Sequence, residues 1–183
     1  MPTSNPPRRI NADLHAHSRV SDGALFDEET ITISVGNVND PPVLGAIGDR
    51  TVNEGATLAF TYVNEDLKER VTKLASEFGS CPVIPCDVAH DGQIDALFDT
   101  LKREWGSLDG LLHSIAFAPR EALAGDFLNA ITREAFGIAH DISSYSLAAL
   151  AKGARPLMQG RPGSIVTLTY LGAVRSVPNY NVM

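Results

Sequence analysis

From Asn64 onward, apolar residues recur at helical spacing in two long stretches. In EDLKERVTKLASEFG, Leu67, Val71, Leu74 and Phe78 share one face and Gly79 follows as a stop signal. In DGQIDALFDTLKREWG, Ile94, Leu97, Leu101 and Trp105 repeat the pattern and Gly106 ends it. Short apolar runs separate these stretches: CPVIPCDV, LDGLLHSIAF and GSIVTLTYL read as strands, and Phe127 to about Leu157 reads as largely helical. Strands alternating with helices through short connections predict βαβ units, hence an α/β fold with a parallel sheet and flanking helices. A run as apolar as SIVTLTYL predicts a strand covered on both faces.

The N-terminal third has a different texture. Residues 1–24 are polar and hold His15 and His17. Residues 25–58 are rich in Thr, Val, Gly, Asn and Asp, with no helical periodicity. ETITISV alternates as a half-buried strand does, NVNDPP breaks it, and TVNEGATLAFTY reads as a turn and then a strand. Whether Ile31–Val35 takes a place in the sheet is open: the run is apolar enough, but its link to LAFTY lacks the helix that parallel neighbours need.

Composition narrows the class. With 183 residues, 44% hydrophobic and 20% charged, the chain can bury one ordinary core. A net charge of -7 with no basic run argues against nucleic acid as partner. No apolar stretch is long enough to span a membrane, and the N-terminus lacks the apolar core of a signal peptide, which points to a cytoplasmic setting. The two cysteines, Cys81 and Cys86, would stand roughly 16 Å apart on an extended segment, too far to bridge, so both are expected as free thiols.

In a doubly wound sheet, ligands bind outside the carboxyl ends of the strands. Those ends read Cys86-Asp87-Val88, His113-Ser114-Ile115-Ala116 and Leu168-Thr169-Tyr170. The stretches LAFTYVNEDLKERV, PCDVAHDGQIDALF, LDGLLHSIAFAPR, DFLNAITREAF, IAHDISSYS and TYLGAVRSVPNYNVM closely resemble the enoyl-acyl-carrier-protein reductases of the short-chain dehydrogenase/reductase superfamily. The resemblance runs over residues 59–183 and implies an incomplete Rossmann-type sheet, preceded by an irregular, β-rich N-terminal segment. It implies hydride transfer from NADH to a trans-2-enoyl thioester carried on acyl carrier protein or coenzyme A.

The resemblance also implies residue roles. Asp87 would accept from the adenine amino group, with Val88 beside the ring; Ser114, Ile115 and Ala116 would line the ribose path, Ala116 standing where the family usually has Gly. Leu168 and Met183 would line the nicotinamide side, Tyr180 would donate to the thioester carbonyl, and Tyr170 would stand beside it. The lysine that follows the second tyrosine in this family falls beyond Met183, and no Gly-rich phosphate turn precedes LAFTY, so impaired or no activity is expected. Val63-Asn64-Glu65-Asp66 carries no adjacent Arg for a 2′-phosphate, which favours NADH over NADPH. The family pairs subunits largely through the helices around HDISSYS, which implies a homo-oligomer.

Two shorter resemblances point elsewhere. ADLHAHSRVSDGAL is similar to the first motif of the polymerase-and-histidinol-phosphatase (PHP) metallo-phosphoesterases, where His15 and His17, on one strand face, would reach one metal with Asp22 assisting. No further ligand cluster matches, so a solvated, poorly ordered tail is expected over residues 1–24. ISVGNVNDPPVLGAIGDRTVNEGATLAFT is similar to a junction of cadherin-like repeats, which makes Asn39 and Asp40 calcium candidates against a plain turn. The chain thus reads as three pieces, 1–24, 25–58 and 59–183; the alternative functions are a calcium-binding repeat module and a metal-dependent phosphoesterase fragment.

Overall fold

The computed structural model describes residues 9–12, 57–169, 174–175 and 181–182. Five strands form one parallel sheet: β1 (Arg9–Ala12), β2 (Thr57–Tyr62), β3 (Val83–Pro85), β4 (Gly110–His113) and β5 (Ser164–Thr167), in the order β3-β2-β1-β4-β5. Strand order reverses between β1 and β4, which makes their carboxyl ends a topological switch point.

The central slot is filled from the far N-terminus. Ala12 aligns with Phe60 on one side and Leu112 on the other. A poorly ordered polar tail was expected over residues 1–24, and the alternation in RINA is too short to signal a strand by itself; what makes it one is two neighbours offering ladders. Ile31–Val35 lies outside the described residues, as do His15, His17, Asp22, Asn39 and Asp40. β2 begins at Thr57, two residues before the expected start of the reductase-like segment.

Helix α1 (Glu65–Ala75) opens where the Asn64 side chain accepts from the Leu67 N–H at 3.2 Å, satisfying one of the unpaired donors of a helix start. It ends in a 3₁₀ turn, Ser76–Phe78. Its expected apolar face is only partly used: Val71 and Ala75 are buried, whereas Phe78 stays 41% exposed with its ring 5.7 Å from that of Phe60. Helix α2 (Asp91–Trp105) follows its pattern closely, with Ile94, Leu97, Phe98 and Leu101 buried, each contributing about 2 kcal/mol of apolar burial. Gly106 closes it in the left-handed region at φ 72, donating its N–H to the Lys102 carbonyl.

The region from Phe127 is helical but interrupted. α3 (Phe127–Ala130) is one turn; α4 (Arg133–His140) starts at the Thr132 cap; a π-helical turn, Asp141–Tyr145, joins it to α5 (Ser146–Met158). α5 packs on α2 so closely that a Cβ on Gly153 would fall inside the van der Waals envelope of the Phe98 ring. One core cluster spans α2, α5 and the sheet face with Ala59 and Leu111; a second gathers Leu58, Phe60, Tyr62, Val71, Ala75 and Leu112.

β5 departs from expectation. Ser164, Ile165 and Thr167 are exposed and Val166 is half-buried. Covering on both faces was expected from its apolar run; among the described residues β5 is the outermost strand, with no neighbour beyond it. Asp109, just before β4, is tied to Arg161, just before β5, by two contacts to Asp109 Oδ1 at 3.1 Å and 2.5 Å. Among the described residues no helix is long and apolar enough to cross a membrane.

Candidate functional site

Because all five strands run the same way, the segments leaving β2, β3, β4 and β5 emerge at one edge. After β3 the chain turns through Asp87. Its N–H donates to the Gln93 side chain at 2.8 Å, its Oδ1 accepts from the Ala89 N–H at 3.0 Å, and its Oδ2 lies 3.2 Å from His90 Nδ1. The carboxylate keeps a quarter of its surface open, 27%, so acceptor capacity remains toward solvent. Val88 beside it is buried.

After β4 the chain runs through Ser114 and Ile115, both buried, and the half-buried Ala116. This loop is clamped from the π-helical turn: Ser143 Oγ accepts from the Phe117 N–H at 2.9 Å and donates to the Phe117 carbonyl at 3.0 Å. A π-turn adds one residue to the helix, and here it carries the hydroxyl that closes both main-chain groups of the loop.

His113 anchors the same corner. Its Nε2 lies 2.8 Å from Ser146 Oγ and its Nδ1 3.0 Å from Thr167 Oγ1, linking β4 to α5 and β5. Ser146 Oγ spends its proton on the Ile142 carbonyl at 2.6 Å, so it accepts from Nε2–H, and Nδ1 accepts from Thr167. The network suits the neutral imidazole, and burial pushes the His113 pKa down to about 4. Leu168 donates its N–H to the His113 carbonyl at 3.1 Å, which seats the exposed Leu168 beside the end of β4.

The end of β2 carries a polar cluster. The Tyr62 hydroxyl donates to Glu65 Oε1 at 3.0 Å, Lys68 Nζ approaches Glu65 Oε2 at 3.1 Å, and the same ammonium lies 5.7 Å from the centre of the Tyr62 ring. Lys68 and then Tyr62, both hydrogen-bonded to it, lower the Glu65 pKa; burial and then Glu65 raise that of Tyr62.

Of the expected site residues, the structure brings Asp87, Val88, Ser114, Ile115, Ala116 and Leu168 to one edge of the sheet; Tyr170, Tyr180 and Met183 lie outside the described residues. Asn181, next to Tyr180 in sequence, donates to the carbonyls of Ala122 at 3.1 Å and Gly125 at 3.3 Å. Sequence reasoning did not single out His113, Ser143, Ser146 or Thr167 as a network. The available signal was a histidine inside the apolar run LLHSIAF and serines inside a helix. Cys81 and Cys86 are thiols with no disulfide between them. Among the described residues no group of three or more His, Cys, Asp and Glu side chains could hold a metal ion.

Asp87 and Ser114 leave strands three positions apart in the sheet, roughly 14 Å at the usual strand spacing. Val88 and Ile115 nonetheless belong to one apolar cluster. A partly open acceptor flanked by apolar side chains at one end, and a clamped small-residue loop at the other, fit an elongated ligand with a flat heterocycle at its β3 end. Fold and edge together define a doubly wound α/β domain of the Rossmann type.

The comparisons sharpen the class to a family. A family model described as enoyl-(acyl carrier protein) reductase matches residues 45–183, and the chain belongs to that family. It is 55% identical over 148 residues to enoyl-(acyl-carrier-protein) reductase (NADH) FabI of Neisseria meningitidis serogroup B, covering 81% of this chain and 57% of that one. It is 56% identical over 131 residues to the FabI of Salmonella typhimurium, covering 71% and 49%. The crystal structure of the enzyme from Aquifex aeolicus VF5 superposes with a TM-score of 0.67 at 52% identity, over 70% of this chain and 50% of that one. The Bacillus cereus enzyme, solved with NADP+ and indole naphthyridinone, gives 0.66 at 45% identity, over 70% and 50%. The chain spans about half the length of these relatives. The family match begins at residue 45, inside the stretch that resembled a cadherin-like junction.

Proposed function

We propose that the chain binds NADH across the carboxyl edge of its sheet and serves the reduction of a trans-2-enoyl thioester on acyl carrier protein or coenzyme A, in the cytoplasm. The observation that carries this reading is the convergence of Asp87 and Val88 with Ser114, Ile115 and Ala116 at one edge, in a chain of the enoyl reductase family. The relatives named for this reaction with NADH support it.

Asp87 would accept from the adenine amino group, with its backbone already held by Gln93 and its side chain by Ala89. Val88 and Ile115 exclude water from the flanks of the ring. The Ser143 clamp fixes the main chain along which the ribose would lie, and Leu168 borders the nicotinamide end. NADH, when bound, supplies the hydride for the β-carbon. Tyr180, with Tyr170 beside it, would donate a hydrogen bond to the thioester carbonyl, where negative charge develops as the hydride arrives; a donor aimed there lowers the barrier more than it tightens substrate binding. Tyr145 and Phe136, exposed around the π-turn, support subunit pairing on this face.

Titration of the chain with NADH, read by nicotinamide fluorescence, tests the reading. Saturable binding that weakens at least tenfold in Asp87→Ala is expected; no binding, or binding indifferent to Asp87, overturns it. Consumption of NADH with an enoyl thioester, abolished by Tyr180→Phe, tests the chemical step.

A further inference from the structure

We propose that Asn181 is a positioning residue for the reduction step, pinning the stretch that carries Tyr180 to the turn beyond the loop that follows β4. This rests on the reading of Tyr180 as the donor to the thioester carbonyl. A phenol stabilises charge on that oxygen only where it is held in place as the charge develops. Its ring can swing about two torsions, so the backbone beneath it has to be fixed first. The next residue along the chain supplies that fixing.

The Asn181 side chain reaches far in sequence. Its Nδ2 donates to the Ala122 carbonyl at 3.1 Å and to the Gly125 carbonyl at 3.3 Å, across 59 and 56 positions. An amide nitrogen carries two N–H bonds, so one group serves both acceptors. Those acceptors stand on a firm frame. Ala122 is fully buried, and its N–H donates to the Pro119 carbonyl at 3.0 Å within the 3₁₀ turn Arg120–Leu123. Gly125 precedes Asp126, whose side chain accepts from the Leu128 N–H at 3.0 Å. The same stretch starts from Phe117, held through both main-chain groups by Ser143. The proposed ribose path and the anchor of the Tyr180 stretch are therefore successive parts of one loop. The backbone at Asn181 fits the task as well. It is the one non-glycine residue with a positive φ, 39, among the described residues, and asparagine is among the few side chains that tolerate this region. Glycine would keep the conformation and lose both donors. Aspartate would keep the length and set a carboxylate against two carbonyls. One Cα step of about 3.8 Å separates this anchor from Tyr180.

The test is fluorine NMR of the chain with 3-fluorotyrosine in place of its four tyrosines, the Tyr180 resonance being assigned by its loss in Tyr180→Phe. In Asn181→Gly, which relieves the backbone and removes only the amide, the Tyr180 resonance should narrow and move toward that of free 3-fluorotyrosine. Those of Tyr62, in β2, and Tyr145, in the π-turn, should stay in place. Asn181→Asp should act in the same way. A Tyr180 resonance that neither variant moves, or a shift of all the resonances alike, overturns the proposal. Turnover of an enoyl thioester gives a second readout. Asn181→Gly should lower kcat roughly tenfold to a hundredfold while KM and NADH affinity stay within about twofold, the mark of a contact that matters in the transition state. A loss that falls on NADH affinity instead would show Asn181 to be a general prop of the loop and overturn the proposal. If the chain neither binds NADH nor turns over, the proposed function falls, and the fluorine spectrum still decides whether Asn181 holds the Tyr180 stretch.

Discussion

His113 Nε2 lies 2.8 Å from Ser146 Oγ, joining the last residue of β4 to the first residue of α5 across 33 positions of sequence. The contact is buried at both ends, His113 being 2% exposed and Ser146 0%. It sits beneath the loop that carries Ser114 and Ile115, so the stability of this pair and the shape of the candidate site are coupled.

The first consequence is a pH dependence. Burial holds the His113 pKa near 4 in the folded chain, against 6.5 for the ordinary side chain, so the unfolded chain binds the proton more readily. Stability from the neutral imidazole is complete above about pH 6.5 and is lost as pH falls toward 4, by on the order of 3 kcal/mol. Denaturant unfolding measured between pH 7 and 4 should show this slope in the wild type, and His113→Gln should lose it whatever its own stability.

Ser146→Ala removes the acceptor of the His113 Nε2–H without removing the donor. A buried donor left unpaired costs about 1–3 kcal/mol, so this variant should unfold at correspondingly lower denaturant with an unchanged m-value. A cost below a few tenths of a kcal/mol would mean that another group takes the proton.

Ser143→Ala should act locally instead. Ser143 is the hydroxyl that closes both the N–H and the carbonyl of Phe117, and it is half-buried. We expect about 1 kcal/mol of global destabilisation together with faster amide exchange at Phe117. NADH binding should weaken more than the stability change accounts for. Unchanged exchange at Phe117 would mean that Ser143 does not hold the loop.

Gly153→Ala tests the helix contact. The added methyl meets the Phe98 ring, and overpacking of this kind costs about 1–3 kcal/mol. Phe98→Leu should recover part of that loss in the double variant, so thermal melts of the four proteins form a cycle whose coupling is favourable. Additive losses would show that the two helices separate rather than compete for space.

How much of this was legible beforehand varied by element. α2 was read correctly because its apolar positions repeat over four turns and a left-handed Gly106 stops it. The placement of Asp87, Ser114 and Leu168 was legible too: in a parallel sheet the segments after the strands gather at the carboxyl ends, and all three stand there. β1 was not legible, since the polar–apolar alternation of Arg9–Ala12 is only four residues long and lies in a polar stretch, and its neighbours make it a strand. The His113–Ser146 pair was hidden for a related reason: a serine in a helix and a histidine in a strand acquire a joint role only when packing brings them together. Nor could the sequence tell that Lys68 is bound to Glu65 rather than free, because spacing of three on a helix permits the contact without requiring it.

Ile165 on β5 and Leu168 just beyond it are exposed apolar side chains, at 43% and 47%, on the outermost strand among the described residues. GSIVTLTYL has the β-branched, uncharged make-up that favours pairing with a second polypeptide and stacking into fibrils wherever its outer edge is left open. Handling of the chain at high concentration will therefore be governed by this rim of the molecule, and a lysine introduced at Ile165 is the simplest way to keep it in solution.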